Sequence, residues 1–173
     1  IKILLILSQI IVEEIMKKEI NNIDKFNLHK SVHENLYPLT ETILNFICES
    51  NELSNSPDLI ENWFECFNSW IQYASIVEFD TTIRYDFKNL LNITISKFMI
   101  NFNGNNHNSD SFLITTKAIE TLIETLNTNP TFMNHDLKQI LDDQLFGYWG
   151  QNYLLYLSQN YDFENSSQFG RLI

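Results

Sequence analysis

The sequence is poor in the residues from which tight β-turns are built. Its 173 residues include only four glycines and three prolines, and short β-hairpin connections depend heavily on glycine for their backbone geometry. Its apolar residues recur at every third or fourth position rather than at every second one, which is the spacing of helices that bury one face. Together the shortage of turn residues and this periodicity predict an all-α protein.

Basic residues are also scarce. Eleven lysines and arginines stand against 22 aspartates and glutamates, which gives a formal net charge of −11. Such a chain has few side chains to neutralise phosphates, so direct binding to nucleic acid is disfavoured. The acidic excess indicates either a basic protein partner or a surface whose charge only maintains solubility.

Cysteine and long apolar runs are equally limited. Cys48 and Cys66 lack CxxC spacing and lie in apolar segments, which indicates a reducing compartment. The opening IKILLILSQII is too short to cross a bilayer and lacks the leader and cleavage site of a signal peptide, so a buried helix is expected. Because the chain begins at Ile1 and stops at FGRLI, we expect it to be a segment of a longer protein.

No pattern of catalytic or metal-binding residues emerges. His29 and His33 are four residues apart, but the glutamate that follows the first histidine in a zinc-protease helix is absent and a third ligand is not evident. The adjacent acidic pairs at 13–14 and 142–143 diverge by about 100° on a helix and do not form a carboxylate pair. Glycine-rich phosphate loops and nucleophile elbows are also missing. We therefore expect no enzyme activity, no metal and no cofactor.

The apolar periodicity predicts seven helical segments. The expected segments are Lys2 to Lys17, about Leu28 to Ser50, one starting at Ser56-Pro57-Asp58, one capped by Asp80 or Thr81, one opened by Asp110 or Ser111 and ended by Asn129-Pro130, His135 to Gln159, and one starting near Phe163. The first is apolar enough that both of its faces should be covered. Pro38 should kink the second, and Gly147 and Gly150 should either kink the sixth or let another helix approach closely. The asparagine-rich stretch 101–110 is expected to be a mobile connection.

The third segment contains NWFECFNSWIQY, whose aromatic residues fit either a ligand pocket or a helix core. Trp63, Phe67 and Trp70 fall on one wide helical stripe, and the polar residues that a pocket would need fall on the opposite side. The spacing therefore predicts that these three residues are structural core.

Helix starts recur roughly every 25–30 residues, so two helices make a unit of about 50 residues. Each such hairpin has an apolar face that only a neighbouring hairpin can cover. We therefore expect residues 1–173 to form one α-solenoid of three to four HEAT-type helical hairpins.

Several stretches resemble the importin-β-type nuclear transport receptors, in particular the transportin-SR-like branch. The likeness lies in LYPLTETILNF and LIENWFECFNSWIQYASI, where Cys66, Ser69 and Trp70 match a cysteine-x-x-serine-tryptophan signature. LLILSQIIVEEI and DSFLITTKAIETLIETLNTNP resemble neighbouring helices of the same receptors, so the likeness covers nearly the whole chain. The long NGNNHNSD connection and the absence of glycine in QYASI depart from the pattern and leave the subfamily open.

The resemblance implies a karyopherin that binds protein cargo on its concave face, contacts phenylalanine-glycine nucleoporins, is switched by the GTP form of the GTPase Ran, and shuttles between nucleus and cytoplasm. An acidic curved surface of this kind would attract basic cargo. The alternative is a helical-repeat scaffold or regulatory subunit without a transport role, because packing patterns do not fix function. The polar positions that we expect to face cargo, or otherwise merely solvent, are Glu61, Glu65, Asn68, Gln72, Asp110, Lys117, Glu120 and Glu124.

Overall fold

The computed structural model describes residues 1–18, 22–50, 56–102, 109–160 and 162–173. Within these ranges the backbone forms helices joined by short connections, and no strand occurs. The predicted all-α class is therefore confirmed.

Nine α-helices lie in the described ranges. They are α1 (Lys2–Lys17), α2 (Asn22–Ser31), α3 (Tyr37–Glu49), α4 (Pro57–Asp80), α5 (Lys88–Ile93), α6 (Ser109–Thr128), α7 (His135–Leu145), α8 (Tyr148–Gln159) and α9 (Phe163–Leu172). The described ranges also hold two π-helical turns, Val32–Leu36 and Thr94–Phe98, and two short 3₁₀ turns, Met99–Asn101 and Pro130–Phe132. The chain divides into two compact units, unit 1 from Ile1 to Asp86 and unit 2 from Phe87 to Ile173.

Unit 1 is built around α4, against which α1 packs most extensively. The buried face of α4 joins Leu5 and Val12 of α1 and Leu44 and Ile47 of α3 in one apolar core. Full burial of each large side chain contributes roughly 1.5–3 kcal/mol, so this helix dominates the stability of the unit.

The prediction that α1 is covered on both faces is wrong for the described part of the chain. Only Leu5, Ser8 and Val12 are buried on this helix. The opposite side carries the large aliphatic residues Ile3, Leu4, Leu7, Ile10 and Ile11, which are 41 to 73% exposed. One face of α1 packs against α3 and α4, and the large aliphatic residues of the other face remain substantially exposed.

The segment predicted to run from about Leu28 to Ser50 begins earlier and is not a uniform α-helix. It starts at Asn22, and the turn Val32–Leu36 that precedes Pro38 is π-helical. Pro38 has no N–H to donate to the carbonyl one α-turn earlier, and in the wider turn Tyr37 instead donates its backbone N–H to the Val32 carbonyl. A π-turn thus precedes Pro38, and the kink expected at this residue stays a prediction.

Helix α4 starts where the sequence predicts, with Pro57 in its first turn. The Ser56 side chain makes no capping hydrogen bond; its backbone carbonyl accepts from Leu59 and Ile60 N–H instead. The amides of Leu59 and Ile60 are therefore bonded to the backbone and not to the Ser56 hydroxyl.

The predicted cap at Asp80 or Thr81 is wrong, because both residues lie at the end of α4 and α5 begins only at Lys88. The Thr81 hydroxyl donates to the Val77 carbonyl at 2.7 Å and accepts from Ile83 N–H at 3.1 Å. These bonds end α4 and hold the following residues in a non-helical conformation.

In unit 2, α6 opens at Ser109, one or two residues before the predicted Asp110 or Ser111, and ends before Asn129-Pro130 as predicted. The expected mobile connection 101–110 falls mostly on 103–108, outside the described residues. Of its remaining positions, Asn101 lies in a 3₁₀ turn and Ser109 and Asp110 lie in α6.

The single helix predicted from His135 to Gln159 is in fact two helices, with a break at Phe146 and Gly147. A Cβ atom at Gly150 would overlap the Leu145 carbonyl oxygen, and one at Gly147 would overlap the Asp143 carbonyl oxygen. Both glycines therefore allow the end of α7 to approach the start of α8 closely. Helix α9 starts at Phe163, as the sequence predicts.

Candidate functional site

The polar stripe predicted on α4 lies on the outside of unit 1. Glu61, Glu65 and Gln72 are exposed, and Asn68 is half-buried with a carboxamide oxygen that has no hydrogen-bond partner among the described residues. The four positions recur at intervals of four, three and four, so they share one side of the helix. They form an open surface, which we call the α4 stripe.

The three residues assigned to the core lie on the other side of α4. Trp63 and Phe67 are 0% exposed and Trp70 is 1% exposed. The Trp63 indole N–H donates to the Leu44 carbonyl of α3 at 3.0 Å. Burial and this hydrogen bond fix the rotation of α4 about its axis and so keep the α4 stripe turned outward.

A relay of hydroxyl groups joins α4 to α1 and α3. The Trp70 indole N–H donates to Ser8 Oγ at 3.0 Å, and Ser8 Oγ lies 2.6 Å from Thr40 Oγ1. Thr40 donates its own proton to the Leu36 carbonyl, so the Ser8 hydroxyl must be the donor to Thr40. Every polar group in this buried relay has a partner, which is the condition under which a polar network stabilises a core.

Ser69, the serine of the signature, binds a carboxylate on α1. Its hydroxyl donates to Glu13 Oε1 at 2.7 Å, and the Gln9 side chain donates to the same oxygen at 2.9 Å. The Gln9 and Ser69 hydrogen bonds hold the pKa of Glu13 below its usual range, because they favour the ionised carboxylate. Residues 69 and 70 thus attach α4 to α1 from adjacent positions.

Cys66, the remaining signature residue, is buried, and burial raises the pKa of its thiol to about 12. At neutral pH the side chain is therefore a protonated thiol, without the reactivity of a thiolate. Within the described ranges no three histidine, cysteine, aspartate or glutamate side chains come together as a metal site.

The two histidines lie in an aromatic cluster of unit 1 that sequence reasoning missed. His29 is 3% exposed, and its Nδ1 atom lies 2.7 Å from the Tyr73 hydroxyl. His33 stacks on Tyr37 and meets the edge of Tyr85. The sequence shows the histidine pair and the tyrosines, but it does not show that they meet. Only the folded chain brings His29 of α2 against Tyr73 of α4.

Burial lowers the pKa of His29, the nearby Lys25 cation lowers it further, and the Asp80 carboxylate acts in the opposite direction. Lys25 and Asp80 themselves form an ion pair at 2.6 Å. The imidazole is accordingly disposed to remain neutral in the folded protein.

The predicted polar positions on α6 are less open than those on α4. Lys117, Glu120 and Glu124 are half-buried, while Asp110 is exposed. Lys117 pairs with Glu120 at 3.5 Å, and Gln168 of α9 donates to Glu120 at 3.5 Å. Part of this α6 surface is therefore engaged by α9 within unit 2.

Unit 2 also contains a half-open pocket of about 250 Å³ that the sequence did not reveal. Its lining comprises Ile100, Phe102, Gln144, Tyr148, Trp149, Asn152 and Tyr153. Gln144 lies near the end of α7, and the break between the helices places it beside the first turns of α8. The pocket therefore depends on this break. We call this the α7–α8 pocket.

None of the described helices combines the length and apolar content that crossing a bilayer requires. No family model, curated protein or solved structure matches the chain. The likeness to transport receptors accordingly rests on the sequence motifs given above.

Proposed function

We propose that this chain is a segment of a karyopherin-type nuclear transport receptor built from HEAT-type hairpins. The α4 stripe would form part of the concave face that holds protein cargo. The proposal includes the partners of such receptors: Ran in its GTP form, phenylalanine-glycine nucleoporins, and a cargo carried between nucleus and cytoplasm.

The observation that carries this proposal is that the signature residues make the contacts between α4 and its neighbouring helices. Cys66 fills the core, Ser69 binds Glu13, and Trp70 binds Ser8, so all three serve to pack α4 against its neighbours. A signature with this role is the kind that an array of helical hairpins would retain, because each hairpin must present a fixed face to the next.

The charge of unit 1 supports a basic cargo. Unit 1 holds 14 acidic and six basic residues, whereas unit 2 holds eight and five. Glu61 and Glu65 lie exposed on the α4 stripe and pair with no basic side chain of the described chain. An unpaired acidic stripe on a rigid helix attracts and orients a positively charged segment.

The decisive experiment is a pull-down of Ran with the full-length protein. We expect retention of Ran loaded with a non-hydrolysable GTP analogue and little retention of Ran loaded with GDP, because the receptor is switched by the GTP form. Equal binding of both forms, or of neither, would reject the transport role and leave the helical-repeat scaffold as the better account.

A further inference from the structure

The α7–α8 pocket has a lining without any charged side chain. Four aromatic residues, Phe102, Tyr148, Trp149 and Tyr153, contribute to it, together with Ile100 and the carboxamides of Gln144 and Asn152. A buried or half-buried charge needs a counter-charge or several hydrogen bonds to offset its desolvation. A phosphate, a carboxylate or a lysine head group would find no counter-charge in this lining.

The aromatic walls of the pocket are held in fixed positions. The Trp149 indole N–H donates to the Phe102 carbonyl at 3.2 Å, and its ring stacks on Tyr153 with centroids 5.1 Å apart. Tyr148 at the mouth is 83% exposed. The pocket therefore joins a rigid aromatic base to an aromatic side chain that is free to contact a ligand.

The two carboxamides supply unused hydrogen-bonding groups. Within the described part of the chain, neither Gln144 nor Asn152 makes a side-chain hydrogen bond. Each amide offers two N–H donors and one carbonyl acceptor. The pocket thus presents donors to the backbone carbonyls of whatever enters it.

Backbone carbonyls are free in only some kinds of protein segment. A helical partner has already used its interior carbonyls, and a partner strand needs a sheet edge, which the described ranges do not contain. A polyproline II segment keeps its carbonyls unpaired, its proline rings pack flat on aromatic faces, and its stiffness reduces the entropy lost on binding.

We propose that the α7–α8 pocket binds a proline-rich segment of a partner protein in the polyproline II conformation. A proline ring lies against Tyr148 and Trp149, and the flanking carbonyls accept hydrogen bonds from Gln144 Nε2 and Asn152 Nδ2. This interaction goes beyond the proposed transport role and does not depend on it.

The test is a titration of the 173-residue chain with a synthetic peptide of repeated Pro-Pro-Ala triplets, followed by isothermal calorimetry and by the NMR signal of the Trp149 indole N–H. We expect saturable binding that shifts this signal. Replacing the prolines of the peptide by glycine should weaken binding at least about tenfold, because the unfolded peptide must then be ordered on binding.

Two variants and one matched control locate the site. Tyr148→Ala and Asn152→Ala should each weaken binding by about fivefold to tenfold, a usual effect for a residue that matters in an interface. Phe163→Ala removes an equally exposed aromatic side chain of unit 2 that does not line the pocket, and it should leave binding unchanged. Far-UV circular dichroism establishes that all three variants are folded.

Several outcomes would overturn the proposal. They are an absence of saturable binding, equal weakening by Phe163→Ala, and tighter binding of a phenylalanine-glycine or arginine-glycine peptide of the same length. The Ran pull-down is scored separately, so failure of either proposal leaves the other open.

Discussion

The indole nitrogen of Trp70 on α4 lies 3.0 Å from the hydroxyl oxygen of Ser8 on α1, and Ser8 in turn donates to Thr40 on α3. One small side chain therefore joins all three helices that form the core of unit 1. Ser8 is only 4% exposed. If its hydroxyl is removed, water therefore does not take over the hydrogen bonds that the hydroxyl made.

We predict that Ser8→Ala lowers the free energy of unfolding by about 1–3 kcal/mol, because it leaves the Trp70 N–H buried without an acceptor. The effect should be smaller when Trp70 is already Phe, since that donor is then absent. Urea denaturation of the two single variants and the double variant gives the coupling energy. Additive losses would show that the two side chains do not interact.

The buried imidazole of His29 predicts a loss of stability in mild acid. Its pKa is lowered in the folded protein by burial and by Lys25, while Asp80 opposes the shift, so the unfolded chain takes up this proton more readily. At pH values well above about 6.5 this loss of stability is absent. Below that value the free energy of unfolding falls as the pH drops, by at most about 1.4 kcal/mol per pH unit for one proton.

The measurement is the urea midpoint of the chain from about pH 7.5 to about pH 5, a range that spans the ordinary histidine pKa. His29→Gln retains a polar side chain that does not titrate, so its profile should be flatter across this range. An unaltered slope in this variant would assign the acid sensitivity to another group.

The close contact at Gly150 predicts a severe effect of a single added methyl group. Gly150→Ala should lower the free energy of unfolding by about 1–3 kcal/mol, because its Cβ would overlap the Leu145 carbonyl oxygen and force α7 and α8 apart. Gly170→Ala is the matched control: a Cβ atom there meets no neighbour, and alanine favours the helix by up to about 1 kcal/mol. Thermal melts of both variants should therefore move in opposite directions.

The open position of the α4 stripe predicts a charge-dependent interaction with basic cargo. Glu61→Lys together with Glu65→Lys changes the net charge from −11 to −7 without disturbing buried contacts. We expect affinity for a basic cargo peptide to fall about tenfold at low salt, with a smaller difference as ionic strength rises.

The control for this variant is Asp142→Lys with Asp143→Lys, which makes the same charge change at exposed positions of unit 2. Cargo affinity should be retained in the control if the stripe itself binds. If both double variants lose affinity equally, only the overall charge of the chain matters.

Periodicity identified the helical class of the chain and the buried face of α4. The apolar stripe of α4 and its start at Pro57 follow from the spacing of aromatic residues and from the local preference of proline for a first turn. Both signals lie within a few neighbouring residues. Such local information is what a sequence carries most directly.

The features that sequence reasoning missed depend on which hydrogen bonds and packing contacts the folded chain makes. Asp80 and Thr81 have the chemistry of a helix start, yet the hydrogen bond from Thr81 to Val77 makes them a helix end. Gly147 and Gly150 marked where the predicted helix could kink, but no apolar period marks the full break into α7 and α8. For the same reason nothing in the sequence pattern singled out the pocket residues Gln144 and Asn152.

The π-helical turn at Val32–Leu36 makes unit 1 tolerant of a change in chain length at one place. A π-turn holds one more residue than an α-turn over nearly the same length of helix axis. It therefore accommodates one inserted residue within a continuous helix. Removing one residue there would leave an unbroken α-helix whose flanking segments keep nearly the same rotation, because one α-turn would replace one π-turn. His29 would then stay beside Tyr73, whereas a deletion in a regular α-helical turn would rotate it away by about 100°.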